Sequence, residues 1–453
     1  MKIVTWNING LRTFKGVLRS TLDSFNADII CVQETKTNRS TLEEDLACVP
    51  GYNSYFAFPR LLTGYSGVAT YCSDNVRPFA ANESLLACES DGINEMDELT
   101  DVPDPLEENA FLSQKEILNV DSEGRTLVTS FNFLDGAGQT KQLLVFNLYC
   151  PRNDPDRPER AQFKYNFNAM LEHQAVCLVK KGFHVILTGD MNISHKRIDN
   201  CDPGEDFEES PARIWLTKML DQQNDVYFVD VFRHMHPDAK EQYTCWNSQK
   251  SARLTNFGTR IDYIICDSKL LEYFESCDIH PDVMGSDHCP VSAVLKLNLI
   301  SNEKLIRKCT RNWPEFSGKQ TSLSSFLVKK TSSAESAREP TAKKRSSGAA
   351  GGQATLSSFF AKKPKIAASD EPESTPVPER IEKSAKCKEL NSNWKNILRG
   401  PPPAPLCSGH GELSVLRIVK KDGINKGKRF YCCARPEGRS DNKEARCSFF
   451  VWI

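Results

Sequence analysis

No apolar run in this chain approaches the roughly 20 residues that a helix needs to cross a bilayer. The opening MKIVTWNI also lacks the charged, apolar and small-residue succession of a secretory signal. The expectation is therefore a soluble chain with no membrane partner. Dense cysteine spacing is missing too: the 17 cysteines are scattered, some inside apolar runs such as DIICV and YIICD. That pattern argues against a disulfide scaffold and for a reducing compartment. An overall excess of one charge is absent, with a formal net charge of -1, but the balance conceals a split. Residues 1–300 hold 28 Lys+Arg against 44 Asp+Glu, whereas residues 301–453 hold 30 against 15. A basic tail on an acidic body points to a polyanion as the tail's partner.

At 453 residues and 39% hydrophobic content, the chain is too long for one ordinary domain and can bury at least one large core. Over residues 1–300, short apolar strands recur, among them KIVTWNI, ADIICVQE, LLVFNLY, HVILTGD, RIDYIIC and VSAVLKL. Between Glu159 and Lys181, Phe163, Phe167, Met170, Leu171 and Leu178 recur at helical spacing, and Gly182 is placed to stop the helix. This is the pattern of a layered α/β domain. The acidic, proline-punctuated stretch 82–122 reads as a surface insertion or mobile loop. From about 301 to 405, Ser, Lys, Pro, Ala and Gly replace periodic apolar residues, which is the composition of a disordered linker. The last segment, 406–453, is too short to bury much core and needs a staple.

Polar residues fall at the ends of the apolar strands. Asn7 follows IVTW, Glu34 follows IICVQ, Asp190 and Asn192 follow VILTG, Asp262 sits between RI and YII, and Asp287 and His288 precede VSAVL. Strands bury their middles, so such groups can gather at one edge of the sheets. A carboxylate such as Glu34, with the Asn7 amide and water beside it, suits a hard cation such as Mg²⁺. Asp190 and Asn192 can orient and deprotonate a nucleophilic water. His288, with Asp262 on its second nitrogen, can give a proton or hydrogen bond to a phosphate oxygen as charge builds. Metal, water activator and His–Asp pair together describe phosphoester hydrolysis without a covalent nucleophile.

Seven segments carry a resemblance: TWNINGLR (5–12), QETK (33–36), YCP (149–151), GDMNISH (189–195), YTCWN (243–247), TRIDYI (259–264) and GSDHCP (285–290). In this order they resemble the exonuclease-III-like branch of the endonuclease/exonuclease/phosphatase superfamily. The resemblance implies a four-layer αββα sandwich and a Mg²⁺ or Mn²⁺ ion held chiefly by Glu34, with Asn7, Asp190, Asn192 and Asp287 as further candidates. It implies catalytic Asp190 and Asn192, the Asp262–His288 pair, and Tyr149 near the phosphate. The implied substrate is double-stranded DNA with 3′ ends or abasic sites. Asn9 stands where many relatives have Asp, Arg152 where Asn is frequent, and Thr259 where some have Trp, so abasic-site incision is expected to be weaker than 3′-end processing. Trp246 is a candidate for the sugar pocket. The rival readings are a phosphodiesterase of the same superfamily acting on RNA or another phosphoester, and a noncatalytic clamp-tethered DNA-binding scaffold.

In the tail, Cys407 and His410 followed by widely spaced cysteines suggest a Cys3His zinc site, with Cys432 and Cys433 competing for one position. The segment resembles the GRF-type zinc finger, which implies Zn²⁺ on Cys407, His410, Cys433 and Cys447. Lys428, Arg429 and Phe430 belong to an interleaving of basic and aromatic residues that suits single-stranded DNA. Phe449 and Trp452 are assigned to a miniature core. Within the linker, QTSLSSFL (320–327) is repeated as QATLSSFF (353–360). On one helical turn Leu356, Phe359 and Phe360, preceded by Gln353, form an apolar plug resembling the motif that docks into the sliding clamp PCNA. The lysine runs KKRSS and KKPK suit nuclear import, so a nuclear monomer is expected, with a mitochondrial pool left open.

Overall fold

The computed structural model describes residues 1–60, 64–85, 102–104, 111–154, 156–317, 404–421 and 423–453. Both clamp-like motifs, with Gln353, Leu356, Phe359 and Phe360, lie outside the described residues. The chain begins with β1 (Lys2–Asn7), α1 (Leu18–Phe25), β2 (Ile29–Gln33), α2 (Glu44–Ala47), β3 (Tyr52–Ala57), β4 (Val68–Ser73) and β5 (Ala80–Asn82). It continues through α3 (Gln114–Val120), β6 (Thr126–Leu134), β7 (Thr140–Tyr149), α4 (Pro158–Lys180), β8 (His184–Asp190), α5 (Pro211–Met219), β9 (Phe228–Asp230) and α6 (Val231–Met235). Next come β10 (Cys245–Trp246), β11 (Gly258–Thr259), β12 (Asp262–Asp267), β13 (Phe274–Ile279), β14 (Val291–Leu295) and β15 (Asn298–Ile300).

One sheet runs β13-β14-β1-β2-β4-β3 and the other β15-β6-β7-β8-β12-β9, with β5 added on β6. Each sheet has a single parallel pair near its centre, β1 with β2 and β7 with β8. A parallel pair delivers two strand ends to the same edge, and this arrangement positions the site. The apolar strands are continuous rather than alternating because both faces are covered. Ile3, Ile29 and Cys31 meet Phe131, Val145, Ile186 and Ile264 between the sheets. The opposite faces, with Val4, Ile30 and Val32 on one sheet and Leu144, Phe146 and Leu187 on the other, pack under α1 and α2 and under α4 and α5 respectively. Three cores separate four layers, which is the αββα sandwich.

Helix α4 carries Pro at its first turn, and it ends with Gly182 at φ +92°. Gly182 N–H donates to Val179 O at 3.0 Å and Phe183 N–H to Leu178 O at 3.1 Å, the paired bonds of a left-handed glycine stop. Two expectations change. The stretch 82–122 is not all loop: Ser113 caps α3 in a reciprocal box with Glu116, and Ile117 and Val120 are buried. The body also continues past residue 300, because Cys309 and Trp313 are buried, and Trp313 packs with Phe56, Phe58 and Phe316. A polar composition hid these few anchors.

The tail segment forms a three-stranded antiparallel sheet of β16 (Val415–Ile418), β17 (Arg429–Cys432) and β18 (Phe450–Trp452). It belongs to the same compact unit as the described residues of the body up to Ser317. Its buried residues are chiefly Cys407, Cys432, Cys433 and Ala445, whereas Trp452 is 47% exposed. The expected miniature core around Trp452 is therefore not what forms. Phe430 stacks on Phe450 with centroids 4.8 Å apart and Trp452 meets both edge-on, a cluster in which Phe450 and Trp452 are exposed and Phe430 half-buried. Three short strands cannot cover such rings, and the cysteine cluster occupies the centre instead.

Candidate active site

The parallel pairs place Asn7 beside Gln33 and Tyr149 beside Asp190, while β12 sets Asp262 opposite Asp190. Glu34 follows β2 at φ +53° and Asn192 follows β8 at φ +50°, so the chain turns sharply just where the polar groups begin. Asn7 links the two sheets: its Nδ2 donates to Glu34 Oε1 at 3.0 Å and to Asp190 Oδ2 at 2.9 Å. Asn192 N–H donates to Asp190 Oδ1 at 2.8 Å, and its side-chain amide reaches Asp190 Oδ2 at 3.2 Å and Cys150 O at 3.0 Å. His288 Nδ1 bonds Asp262 Oδ2 at 2.8 Å, and Nε2 lies 3.9 Å from Asp190 Oδ2. Tyr149, Glu34, Asp190, Asn192, Asp287, His288 and Trp246 all line one open cavity of about 740 Å³. A second groove of about 610 Å³ is lined by α4 and α5 residues and holds none of these groups.

The electrostatics separate the roles. Burial, then the Asp262 charge, push Asp190 up to about 7 against the pull of His288 and the Asn7 amide. Burial alone would lower His288, but the charge and hydrogen bond of Asp262 raise it well above an ordinary imidazole. Burial works against ionisation at Glu34 as well, yet hydrogen bonds from Asn7 and Lys36 hold it below the usual carboxylate range. Tyr149 is raised by burial and by Glu34 and Asp190, so it stays a hydrogen-bond donor. The resulting set is an acid poised near neutrality, a cationic imidazole and an ionised carboxylate in one cavity.

Asp287 takes a different place from the other metal candidates. Its Oδ1 accepts from Asn9 Nδ2 at 2.9 Å, and Asn9 in turn is bonded by Lys36, whose ammonium sits 2.7 Å from Glu34 Oε2. Trp246 is 3% exposed, donates to Asn256 Oδ1 at 3.1 Å and has Arg253 over its ring at 4.6 Å, so it contributes wall rather than a free stacking face.

Sequence reading missed several supporting groups. Thr244 donates to Asp262 Oδ2 at 2.6 Å and accepts from Asp262 N–H at 3.1 Å. Arg125 lies 4.6 Å over Tyr149 and donates to its carbonyl at 3.0 Å. Buried Lys164, which burial brings down to about 8, donates to Asn192 O at 2.9 Å. Lys164 had a legible signal: it shares the helix face of Phe167 and Leu171, where a lone lysine has no apolar reason to sit.

Asp190, Asp262 and His288 bring ligand atoms within 4.8 Å of one another, and so do Cys407, His410, Cys433 and Cys447. The second group settles the ambiguity of the adjacent cysteines by geometry: Cys433 Sγ lies 3.4 Å and Cys407 Sγ 3.6 Å from His410 Nδ1, while Cys432 stays outside the set. In the first group, the buried Asp262 Oδ1 has no hydrogen-bond partner among the described residues. Together with Glu34 and Asn7, the group offers hard oxygen donors that fit a divalent cation.

Residues 4–288 match the Endonuclease/Exonuclease/phosphatase family, and residues 405–453 match the GRF zinc finger. A DNA-(apurinic or apyrimidinic site) endonuclease 2 of Xenopus laevis is 40% identical over 516 residues, covering 100% of this chain and 98% of the relative. An exodeoxyribonuclease of Bacillus subtilis is 30% identical, over 66% of this chain and 100% of its own. The crystal structure of the Xenopus laevis APE2 catalytic domain superposes with a TM-score of 0.64 at 44% identity, covering 71% of this chain and 99% of that one.

Proposed function

The chain belongs to the Endonuclease/Exonuclease/phosphatase family, and from that membership we propose that it is a DNA repair nuclease that hydrolyses phosphodiesters with a divalent ion, Mg²⁺ or Mn²⁺. The preferred reactions are 3′-5′ exonuclease and 3′-end cleaning, with weaker incision at abasic sites. The carrying observation is the Asn7 bridge, which ties Glu34 of one sheet to Asp190 of the other beside the His288–Asp262 pair.

Glu34, with Asn7 and Asp287 nearby, would hold the ion, which when bound supplies positive charge to a phosphate oxygen. Asp190 accepts a proton from water, and the Asn192 N–H and amide fix the direction of its two oxygens. His288, kept cationic by Asp262, donates a hydrogen bond to a non-bridging oxygen as charge accumulates. Tyr149 donates to the same phosphate. In the tail, Zn²⁺ on Cys407, His410, Cys433 and Cys447 organises a module whose Lys428, Arg429 and Phe430 meet single-stranded DNA. The repeated linker motif engages PCNA, and the protein acts in the nucleus.

The deciding assay compares a recessed-end DNA duplex, an abasic duplex and an RNA duplex, each with Mg²⁺ and with chelator. Rapid loss of 3′ nucleotides from the recessed end, dependent on the cation, is the expected result. Preference for the RNA duplex, or undiminished cleavage in chelator, contradicts the proposal.

A further inference from the structure

The zinc-ligand module meets the catalytic body chiefly through residues 437–439, received on residues 241–256, with outlying contacts from Arg417 to Gln249 and from Lys421 to Asp156 at 3.0 Å. Glu437 makes the central contact. Its N–H donates to Lys250 O at 3.0 Å, its carboxylate Oε1 lies 2.7 Å from Lys250 Nζ, and its carbonyl accepts from the Thr255 hydroxyl. Arg439 pairs with Glu241 at 3.1 Å. At Gly438 the two surfaces are so close that an added Cβ would lie 3.2 Å from Thr255 Cβ. These contacts combine main-chain bonding, charge pairing and close approach.

The contact also fixes where the exposed rings start. Arg417 of β16, Phe430 of β17 and Trp452 of β18 are direct cross-strand partners, so they form one row on one face. Arg417 Nη1 donates to Gln249 O at 3.1 Å, and Gln249 and Glu437 both line the cavity that holds Asp190 and His288. The row therefore begins at the rim of that cavity.

The geometry points to residues 241–256 as a docking surface for this chain's own zinc module, clamped by Glu437, which lays the Arg417–Phe430–Trp452 row from the cavity rim outward as a track for an unpaired strand. The track deepens the nuclease reading and rests on it; the docking surface does not. A docked module also leaves less freedom than a tether alone, so the strand leaving the cavity meets a surface already in place.

The test is zero-length carbodiimide cross-linking of the full, zinc-loaded chain, mapped by mass spectrometry. The expected product joins Lys250 to Glu437. The conservative Arg439→Lys variant gains a second product joining position 439 to Glu241. Adding Lys250→Glu to that variant leaves the zinc ligands untouched and removes most of the second product. Absence of both products in zinc-loaded protein, or a second product of equal yield after zinc is stripped, overturns the docking. None of these readouts requires activity, so they stand apart from failure of the nuclease assay. The track is read separately: with docking intact, a Phe430→Ala variant that degrades a recessed end as fast as the parent chain overturns that part.

Discussion

The side chain on which the proposed chemistry turns is Asp190, 1% exposed and fixed on both oxygens by Asn7 and Asn192. Asp190→Asn keeps the size and most of the hydrogen bonds but loses the proton acceptor, so the rate should fall on the order of 10²–10⁴-fold with the fold intact. Circular dichroism alongside single-turnover cleavage checks this, and a folded variant of unchanged rate removes Asp190 from the role. The sign of the pH dependence follows from its raised value. Below about 7 the carboxyl carries a proton and cannot accept one, so cleavage should climb as pH rises through about 7. His288, raised well above its ordinary value, keeps its charge across the same interval. A rate that is flat between pH 5.5 and 8 contradicts this assignment.

At the scale of elements, the site depends on how β8 and β12 begin and end. Burial opposes ionisation of Asp199, but Arg260 and Arg233 hold it down to about 2. Arg260 reaches Asp199 at 2.8 Å and Asp230 at 2.6 Å, which fixes the entry to β12 two residues before Asp262. The folded value lies below the unfolded one. Stability from this pair is therefore present above about pH 4 and lost as pH falls through about 2, amounting to roughly 2–3 kcal/mol. Asp199→Asn should cost about 3 kcal/mol at neutral pH by leaving Arg260 under-paired in the interior. Urea unfolding across pH 2–7 measures both effects, and an unchanged midpoint at neutral pH would refute the second. Gly189 sets the other boundary. At φ +133° a Cβ would collide with the Leu148 carbonyl on β7, so Gly189→Ala should destabilise by at least about 2 kcal/mol and displace Asp190. Much of this was legible: recurring short apolar strands with a helical pattern between them announced a layered α/β domain, and polar residues at the strand ends announced one reactive edge. What could not be read were partnerships across long separations. Thr244 holding Asp262, Arg125 lying over Tyr149 and Trp313 closing onto Phe56 and Phe58 leave no local periodicity, because each is set by layer packing. The same packing turned part of the acidic stretch into α3, whose Ser113 and Glu116 formed a start signal that the surrounding composition obscured.

Across the whole molecule, stability and targeting are divided between parts that fail separately. Among the described residues, the three large cores contain none from the tail module, whose buried centre is the cysteine cluster. Stripping zinc should therefore abolish retention on single-stranded DNA while the main unfolding transition stays in place, a combination that calorimetry with and without chelator resolves. The proposed clamp motifs of the linker would add a third function. The copy QATLSSFF presents Leu356 with two adjacent phenylalanines, whereas QTSLSSFL presents Phe326 with Leu327. Two rings bring more apolar area to a binding surface than one ring and an aliphatic chain, and each fully buried side chain is worth about 1.5–3 kcal/mol. Phe359→Ala with Phe360→Ala should thus weaken clamp binding by at least about 100-fold, and the matching change at Phe326 and Leu327 by less. Titration of the full chain with PCNA measures both. Equal losses at the two copies would show that the repeat, rather than its second member, carries the interaction, and unchanged binding in both variants would remove the clamp from the proposal.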